Sequence, residues 1–550
     1  MLKLATILDN PGEPTAKTRY RDPKLLKQLG YNGLVLYETT GLSGLRGPDS
    51  VQSGEIRRWI SKQYDHVKTS IEQANEAGLD VYLTYDVLSL ARDIVDKSPN
   101  RFVCKNRPGT LCPASEQTLE NSVDALDHLI QTFSSVAGIV LRFGDNDASR
   151  LPYLVGNDLY TPHCPRCSQL GRADRIISVL TRFYDLVVKK HDKRLIARAW
   201  NLRPNGMHDS VELCERIRDR LPGEETDDRL VLSFKYTQTD FWRYQPWNQA
   251  SLCFGQRPII YELQCQREFE GKGGIPNWQV PIWRDGDPAI EDQTLRGGLA
   301  KVTSRINFGG LWAWVRGGGW GGPFVANEDW IDANVYAVPH LAETPGIKPA
   351  KLAEQWVDQR VGVPKIKSKQ AICQVLQASV QFIQDGLYIG PYARTKTDAW
   401  HPNADWIQDD LIDAQAAWRM IQKLSFDKLE QVCIEKARSV TLVNQVRINL
   451  QRQINEANRS RLEPMHNSLM YTESLYGTLS ELLQGLVAFR QYRRTKDPAL
   501  AEKARHRLLS AQSHWNHHSQ RHANLSGTAT AFRESGFWDL TQRLLGEMTV

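Results

Sequence analysis

Carboxylates, basic groups and tryptophans recur together between Leu230 and Asn277, in LVLSFKYTQTDFWRYQPWNQASLCFGQRPIIYELQCQREFEGKGGIPN. Two apolar, β-prone runs, Leu230–Phe234 and Pro258–Leu263, each open into a polar segment. Asp240 follows the first run, and Glu262, Glu268 and Glu270 sit at or beyond the end of the second. Breaking a glycosidic bond needs an acid to protonate the leaving oxygen, and a base or nucleophile on the other face of the sugar. Asp145 and Asp147, in Arg142-Phe143-Gly144-Asp145-Asn146-Asp147 after another apolar run, stand opposite Asp240 and Glu268 if these runs are the staves of a barrel. Arg142, Arg198, Lys235 and Arg316 also fall at the ends of such runs. Four cations around one site exceed the needs of a neutral sugar and suit a carboxylate-bearing one, although each serves equally as counter-ion to a rim carboxylate. Glu262, Trp200, Trp312, Trp314 and Trp320 complete the candidate substrate-binding set, with Trp320 as a stacking platform.

The elements that must position these residues alternate. Candidate strands are Lys3–Leu8, Gly33–Tyr37, Asp80–Thr84, Ala137–Arg142, Arg194–Trp200, Leu230–Phe234, Pro258–Leu263 and Gly309–Val315. Helical patterns lie between them, among them Pro23–Leu29, Gly54–Ala77, one beginning near Ser115, Ala173–Lys190 and Ile290–Ile306. Eight strand–helix alternations predict a (β/α)8 TIM barrel over residues 1–342, with its chemistry on the rim at the strand C-termini. Beyond Glu343-Thr344-Pro345-Gly346 the strand signals fade, and Ile407, Leu411, Ala414, Trp418 and Ile421 recur at helical spacing. Residues 343–550 therefore read as an all-helical C-terminal domain, the candidate surface for a homodimer.

The spacing Lys235…Asp240…Glu262…Glu268, in FKYTQTDF and YELQCQREFEG, resembles the microbial α-glucuronidases of glycoside hydrolase family 67. Those enzymes carry VKNGPIDF-like and EFQITQEY-like segments with the same gaps. GGLWAWVRGGGWGGPFVANEDW is similar to that family's last barrel strand and loop, and Ala197-Arg198-Ala199-Trp200 to its Arg-Ala-Phe after the fifth strand. The resemblance spans roughly residues 100–420 and implies an inverting, exo-acting hydrolase that releases a terminal uronic acid from an oligosaccharide. In that scheme Asp240 and Glu268 activate water and Lys235 holds the uronate. The family's acid is a Glu after strand four, where this chain offers Asp145, with Asp147 as alternative. The family also has an N-terminal β domain, whereas this sequence opens on the first barrel strand, which points to a different uronide. Rival readings are a barrel glycosidase or exo-lyase of other specificity, and a catalytically silent carbohydrate-binding protein.

Composition narrows the class. With 41% hydrophobic and 24% charged residues, 550 residues read as an ordinary two- or three-domain globular chain. The net charge of +6 comes without a Lys/Arg block, so no nucleic-acid partner is expected, and no apolar run of about 18 residues predicts a membrane span. Nine scattered cysteines and a short N-terminal apolar stretch suggest a cytoplasmic protein. Cys164-Pro165-Arg166-Cys167 is a CxxC knuckle, and Cys104 and Cys112 are available to complete a structural zinc site; no cofactor is expected for catalysis. His514, His518 and His522 share a helical face, read as polar and partly exposed. Gly317–Gly322 lacks the Lys-Ser/Thr ending of a phosphate loop.

Overall fold

The computed structural model describes residues 1–9, 15–317, 327–397, 399–400, 407–408, 411–522 and 533–548. Eight strands close a barrel: β1 (Leu2–Leu8), β2 (Gly33–Leu36), β3 (Asp80–Asp86), β4 (Gly138–Gly144), β5 (Arg194–Asn201), β6 (Leu230–Lys235), β7 (Pro258–Gln264) and β8 (Asn307–Gly317). Each pairs in parallel with its neighbours in sequence, and β1 meets β8. These strands read as near-continuous apolar runs because helices cover one face and side chains fill the other. Leu4, Leu83, Val140, Leu232 and Leu263 are completely buried.

Several strands run past the ends of their apolar runs. β3 continues to Asp86, β4 to Gly144 and β6 to Lys235. The extra residues stay in the ladder because polar partners face each other there: Asp86 pairs with Arg142, and Lys235 with Glu262. At the closing seam Gly310 has φ +140°, and a Cβ there would lie 1.9 Å from the Leu2 carbonyl oxygen. Only glycine lets β8 approach β1 so closely.

The long helix expected over Ile290–Ile306 is instead two short ones, Gln293–Arg296 and Leu299–Val302. Between them Gly297 and Gly298 take φ of +67° and +102°, which no helix tolerates. Ser115 caps the helix Glu116–Thr132, its hydroxyl accepting from the Thr118 N–H. Two small antiparallel pairs project from the rim: Ser89–Ala91 with Leu154–Gly156, and Val103–Cys104 with Arg107–Leu111.

Beyond Asp329–Glu343 the described residues are mainly helical, with Ile366–Leu387, Phe426–Gln451, Arg459–Thr495 and Pro498–His522 as the long members. A small sheet of Ile407–Gln408, Leu411–Asp413 and Arg533–Ser535 is added to them. One hydrophobic cluster runs without interruption from the barrel into these helices. His518 and His522 belong to that interior rather than to a polar face. They pack on Tyr471, and burial pushes their imidazoles down to about 3 and about 4. No helix of the described residues is long and apolar enough to cross a membrane.

Candidate active site

The strand C-termini converge on one charged assembly. Arg142, at the end of β4, is buried with three carboxylates around its guanidinium. Its Nε lies 3.2 Å from Asp86 Oδ1, its Nη2 3.2 Å from Asp145 Oδ1, and its Nη1 2.7 Å from Asp147 Oδ2. Arg198, on β5, reaches both ways: Nε donates to both oxygens of Glu262 at 3.0 and 3.1 Å, and Nη1 lies 3.4 Å from Asp145 Oδ2. Ser233 Oγ holds the same Glu262 at 2.9 Å. Asp145 thus bridges two arginines, and Glu262 sits below the rim with no exposure.

Lys235 closes the assembly on the β6 side. Its ammonium is in direct contact with the Asp240 carboxylate. It also lies over the rings of Trp200, Phe241 and Trp314, with centroids at 3.8, 4.5 and 4.9 Å. Arg198 lies over Trp312 and Trp314. Stacking an ammonium on aromatic faces and a carboxylate at once fixes its position and removes it from water. Asp145 and Asp240 keep 16% and 23% of their side-chain surfaces exposed, so both remain open at the mouth. Glu268, in the loop after β7, is largely buried, and its backbone N–H donates to Gln264 Oε1 at 3.1 Å.

Electrostatics separate these carboxyls. Burial alone would push Asp145 up, but Arg142, Arg198, Lys235 and Arg150 together outweigh it and hold it below the ordinary carboxylate value. Asp86 goes the other way: burial dominates, Asp147 and Asp145 add to it against Arg142, and its carboxyl rises to about 8. An acid held ionised by cations is poorly equipped to donate a proton, so this geometry favours an anionic role for Asp145. Asp147 is spoken for by Arg142 and by Arg150, 3.5 Å away.

Arg316, near the end of β8, pairs with Glu328 at 3.1 Å. Trp320 lies outside the described residues. The strand-end cations therefore have protein carboxylates beside them, and the positive excess lies one loop away. A cleft of about 340 Å³ next to the mouth is flanked by Gly144, Asn146 and Asn201. Arg92, Arg107 and Arg203 line it against a single carboxylate, Asp158.

Other members of the site were not legible as such. Trp400 stacks on Trp200 with centroids 5.5 Å apart and planes 6° apart, and Trp242 stacks on Phe269 at 3.9 Å. Asp86 ends a strand whose apolar run stops two residues earlier. Trp400 comes from a turn-rich stretch distant in sequence, where its aromatic side chain is the sole signal. Cys104, Cys112, Cys164 and Cys167 come together in the rim insert.

No protein-family model matches the chain, and no curated protein matches it by sequence. Among solved structures it is similar to a GH138 enzyme targeting pectin rhamnogalacturonan II, at 12% identity and a TM-score of 0.58, covering 100% of this chain and 83% of that one. A Thermobaculum terrenum O-GlcNAc hydrolase mutant aligns at 10% identity and a TM-score of 0.44, over 100% of this chain and 94% of its own. The likeness to the GH138 structure, at 12% identity, is one of fold.

Proposed function

We propose that the chain is a glycoside hydrolase acting at the end of an acidic carbohydrate, releasing a terminal uronic acid. The observation that carries this reading is the mouth with its neighbouring cleft. Asp145 and Asp240 are both partly open among cations and aromatic faces, and a cleft with three guanidinium groups against one carboxylate is lined by Gly144 and Asn146, the chain neighbours of Asp145. The pectic target of the GH138 structure with the same fold accords with it. Asp145, Asp240 and Glu268 divide the hydrolytic work. Asp145 and Asp240 are the ionised members, since Asp240 contacts the Lys235 ammonium; Asp240 orients and deprotonates water, and the proton-donating role falls to Glu268, from the β7 loop. The contact with a sugar carboxylate falls to Arg107 and Arg203, because Lys235 is already bound to Asp240 and buried.

The test is incubation of the full chain with uronic-acid-capped oligosaccharides and their neutral counterparts, read by mass spectrometry. Release of the uronic acid with gain of water is expected, and an unsaturated product would assign a lyase. Preference for the neutral series, or tight binding without turnover, would overturn the reading. Asp240→Asn and Glu268→Gln should each cost orders of magnitude in kcat. Activated aryl glycosides, which need little protonation, should be spared by Glu268→Gln and not by Asp240→Asn; the reverse would move the donor to Asp240.

A further inference from the structure

Four cysteines from separate stretches of the rim insert converge on one point. Cys104 ends the first strand of the Val103–Leu111 hairpin, and Cys112 follows the second. Cys164 precedes the short helix Pro165–Ser168, and Cys167 lies in it. All four are buried. Their sulfurs lie within 4.8 Å of one another: 3.5 Å for Cys164–Cys167, 3.7 Å for Cys112–Cys164 and 3.9 Å for Cys104–Cys167. Sulfurs bonded to one zinc at about 2.3 Å, at the corners of a tetrahedron, stand about 3.8 Å apart. A disulfide needs about 2.05 Å. The observed spacing is that of ligands around a common centre.

We propose that Cys104, Cys112, Cys164 and Cys167 bind a zinc ion as a tetrathiolate, which clamps together the two walls of the Arg92–Arg107–Arg203 cleft.

Three further observations support it. The backbone N–H groups of His163 and Cys164 point at Cys167 Sγ, at 3.1 and 3.3 Å, the donors a metal-bound thiolate requires. The hairpin lies outside the main hydrophobic interior, where a satellite cluster of Leu90, Val95, Phe102, Val103, Leu111 and Val155 is its apolar support. So small a core does not hold a loop-rich insert without a staple. Among the described residues no other group of His, Cys, Asp and Glu has the arrangement of a metal site. The position gives the metal its consequence. Arg107, Gly109 and Thr110, on the hairpin, and Asp158 and Thr161, on the chain leading to Cys164, line the same cleft. A bond from each arm to one ion sets the width of that cleft.

The experiment uses the full chain, made in zinc-supplemented medium and purified without a metal-affinity step. Elemental analysis should find about one zinc per chain, and X-ray absorption should find sulfur ligands alone at about 2.3 Å. Cys112→Ser and Cys167→Ser should each lose the metal. Chelation should raise hydrogen exchange in 103–111 and 157–163 while the barrel strands stay protected. If the variants do not fold, exchange of the wild-type metal for Co²⁺ should produce thiolate-to-cobalt absorption bands. Zinc-free protein with alkylatable thiols, a disulfide among the four, nitrogen or oxygen ligands, or absence of those cobalt bands would overturn the site. Iron in place of zinc would overturn the metal assigned. Each readout is independent of which sugar, if any, is turned over.

Discussion

Arg142 is surrounded by more negative charge than one guanidinium neutralises, since Asp86, Asp145 and Asp147 all lie within 3.2 Å of it. Asp86, the most buried, keeps its proton up to about 8. Between the ordinary Asp value near 3.8 and that point, the folded chain binds a proton that the unfolded chain does not. This contribution therefore favours the fold in acid and is lost as pH rises toward 8. Asp86→Asn mimics the neutral acid and removes that dependence. Denaturation from pH 5 to 9 should show it gaining stability relative to wild type, and a constant difference would refute the retained proton. Asp145 has the opposite sign. Its lowered value stabilises the fold above the ordinary carboxylate range, and that stability disappears as pH falls through the folded value. Asp145→Asn should cost about 1–3 kcal/mol at neutral pH, since both arginines keep another carboxylate, and nothing in strong acid. Chemical denaturation at both pH values checks this. At this scale the sequence identified the ingredients but not their pairing. Glu262, Glu268 and Glu270 lie within nine positions of each other, yet Glu262 is bound to Arg198 inside the barrel and Glu270 to Arg243 and Arg267 behind the mouth. Which charge meets which depends on side-chain direction across three strands, and spacing along one strand does not encode it.

The barrel strands were legible because parallel strands buried on both faces leave unbroken apolar runs, and all eight fall where those runs lie. Their polar ends were not, because cross-strand partners such as Asp86 and Arg142 extend the ladder beyond the hydropathy signal. The helix expected over Ile290–Ile306 fails at Gly297-Gly298, where adjacent glycines with positive φ turn the chain. At the seam, Gly310→Ala must displace the Leu2 carbonyl from β1 or open the β1–β8 pair. A loss of several kcal/mol is expected, because the conformation and the space both exclude a methyl group. Thermal unfolding measures it. A variant within about 0.5 kcal/mol of wild type would mean that the seam is not this tight.

The barrel and the helices meet at Glu270, which joins the site to the rest of the molecule. Fully buried, it accepts from Arg243 at 2.8 and 2.9 Å, from Arg267 at 3.0 Å, from Asn277 at 2.5 Å and from the hydroxyl of Tyr388 at 2.7 Å. Burial would push its carboxyl up, but the two arginines hold it well below its ordinary value. Arg243 belongs to the β6 loop that carries Asp240, Arg267 adjoins Glu268 after β7, and Tyr388 follows the helix Ile366–Leu387. Ser468, in the helix Arg459–Thr495, makes a parallel connection: its Oγ donates to the Gly274 carbonyl at 2.6 Å and accepts from Trp330 Nε1 at 3.1 Å. With one continuous hydrophobic cluster across both regions, the described helices beyond Glu343 are part of the support of the loops that carry Asp240 and Glu268. A chain ending at 343 should expose that apolar face and aggregate. Tyr388→Phe is the milder probe. It removes one of four donors from a buried carboxylate, a cost of about 1–3 kcal/mol that the fold should survive. If Glu270 sets the positions of the Asp240 and Glu268 loops, kcat on the proposed uronide substrate should fall by about tenfold to a hundredfold with KM little changed, because small misplacement of reacting groups slows the chemical step. Steady-state kinetics at a temperature where the variant is fully folded separates this from simple destabilisation, and an unchanged kcat would confine Glu270 to stability.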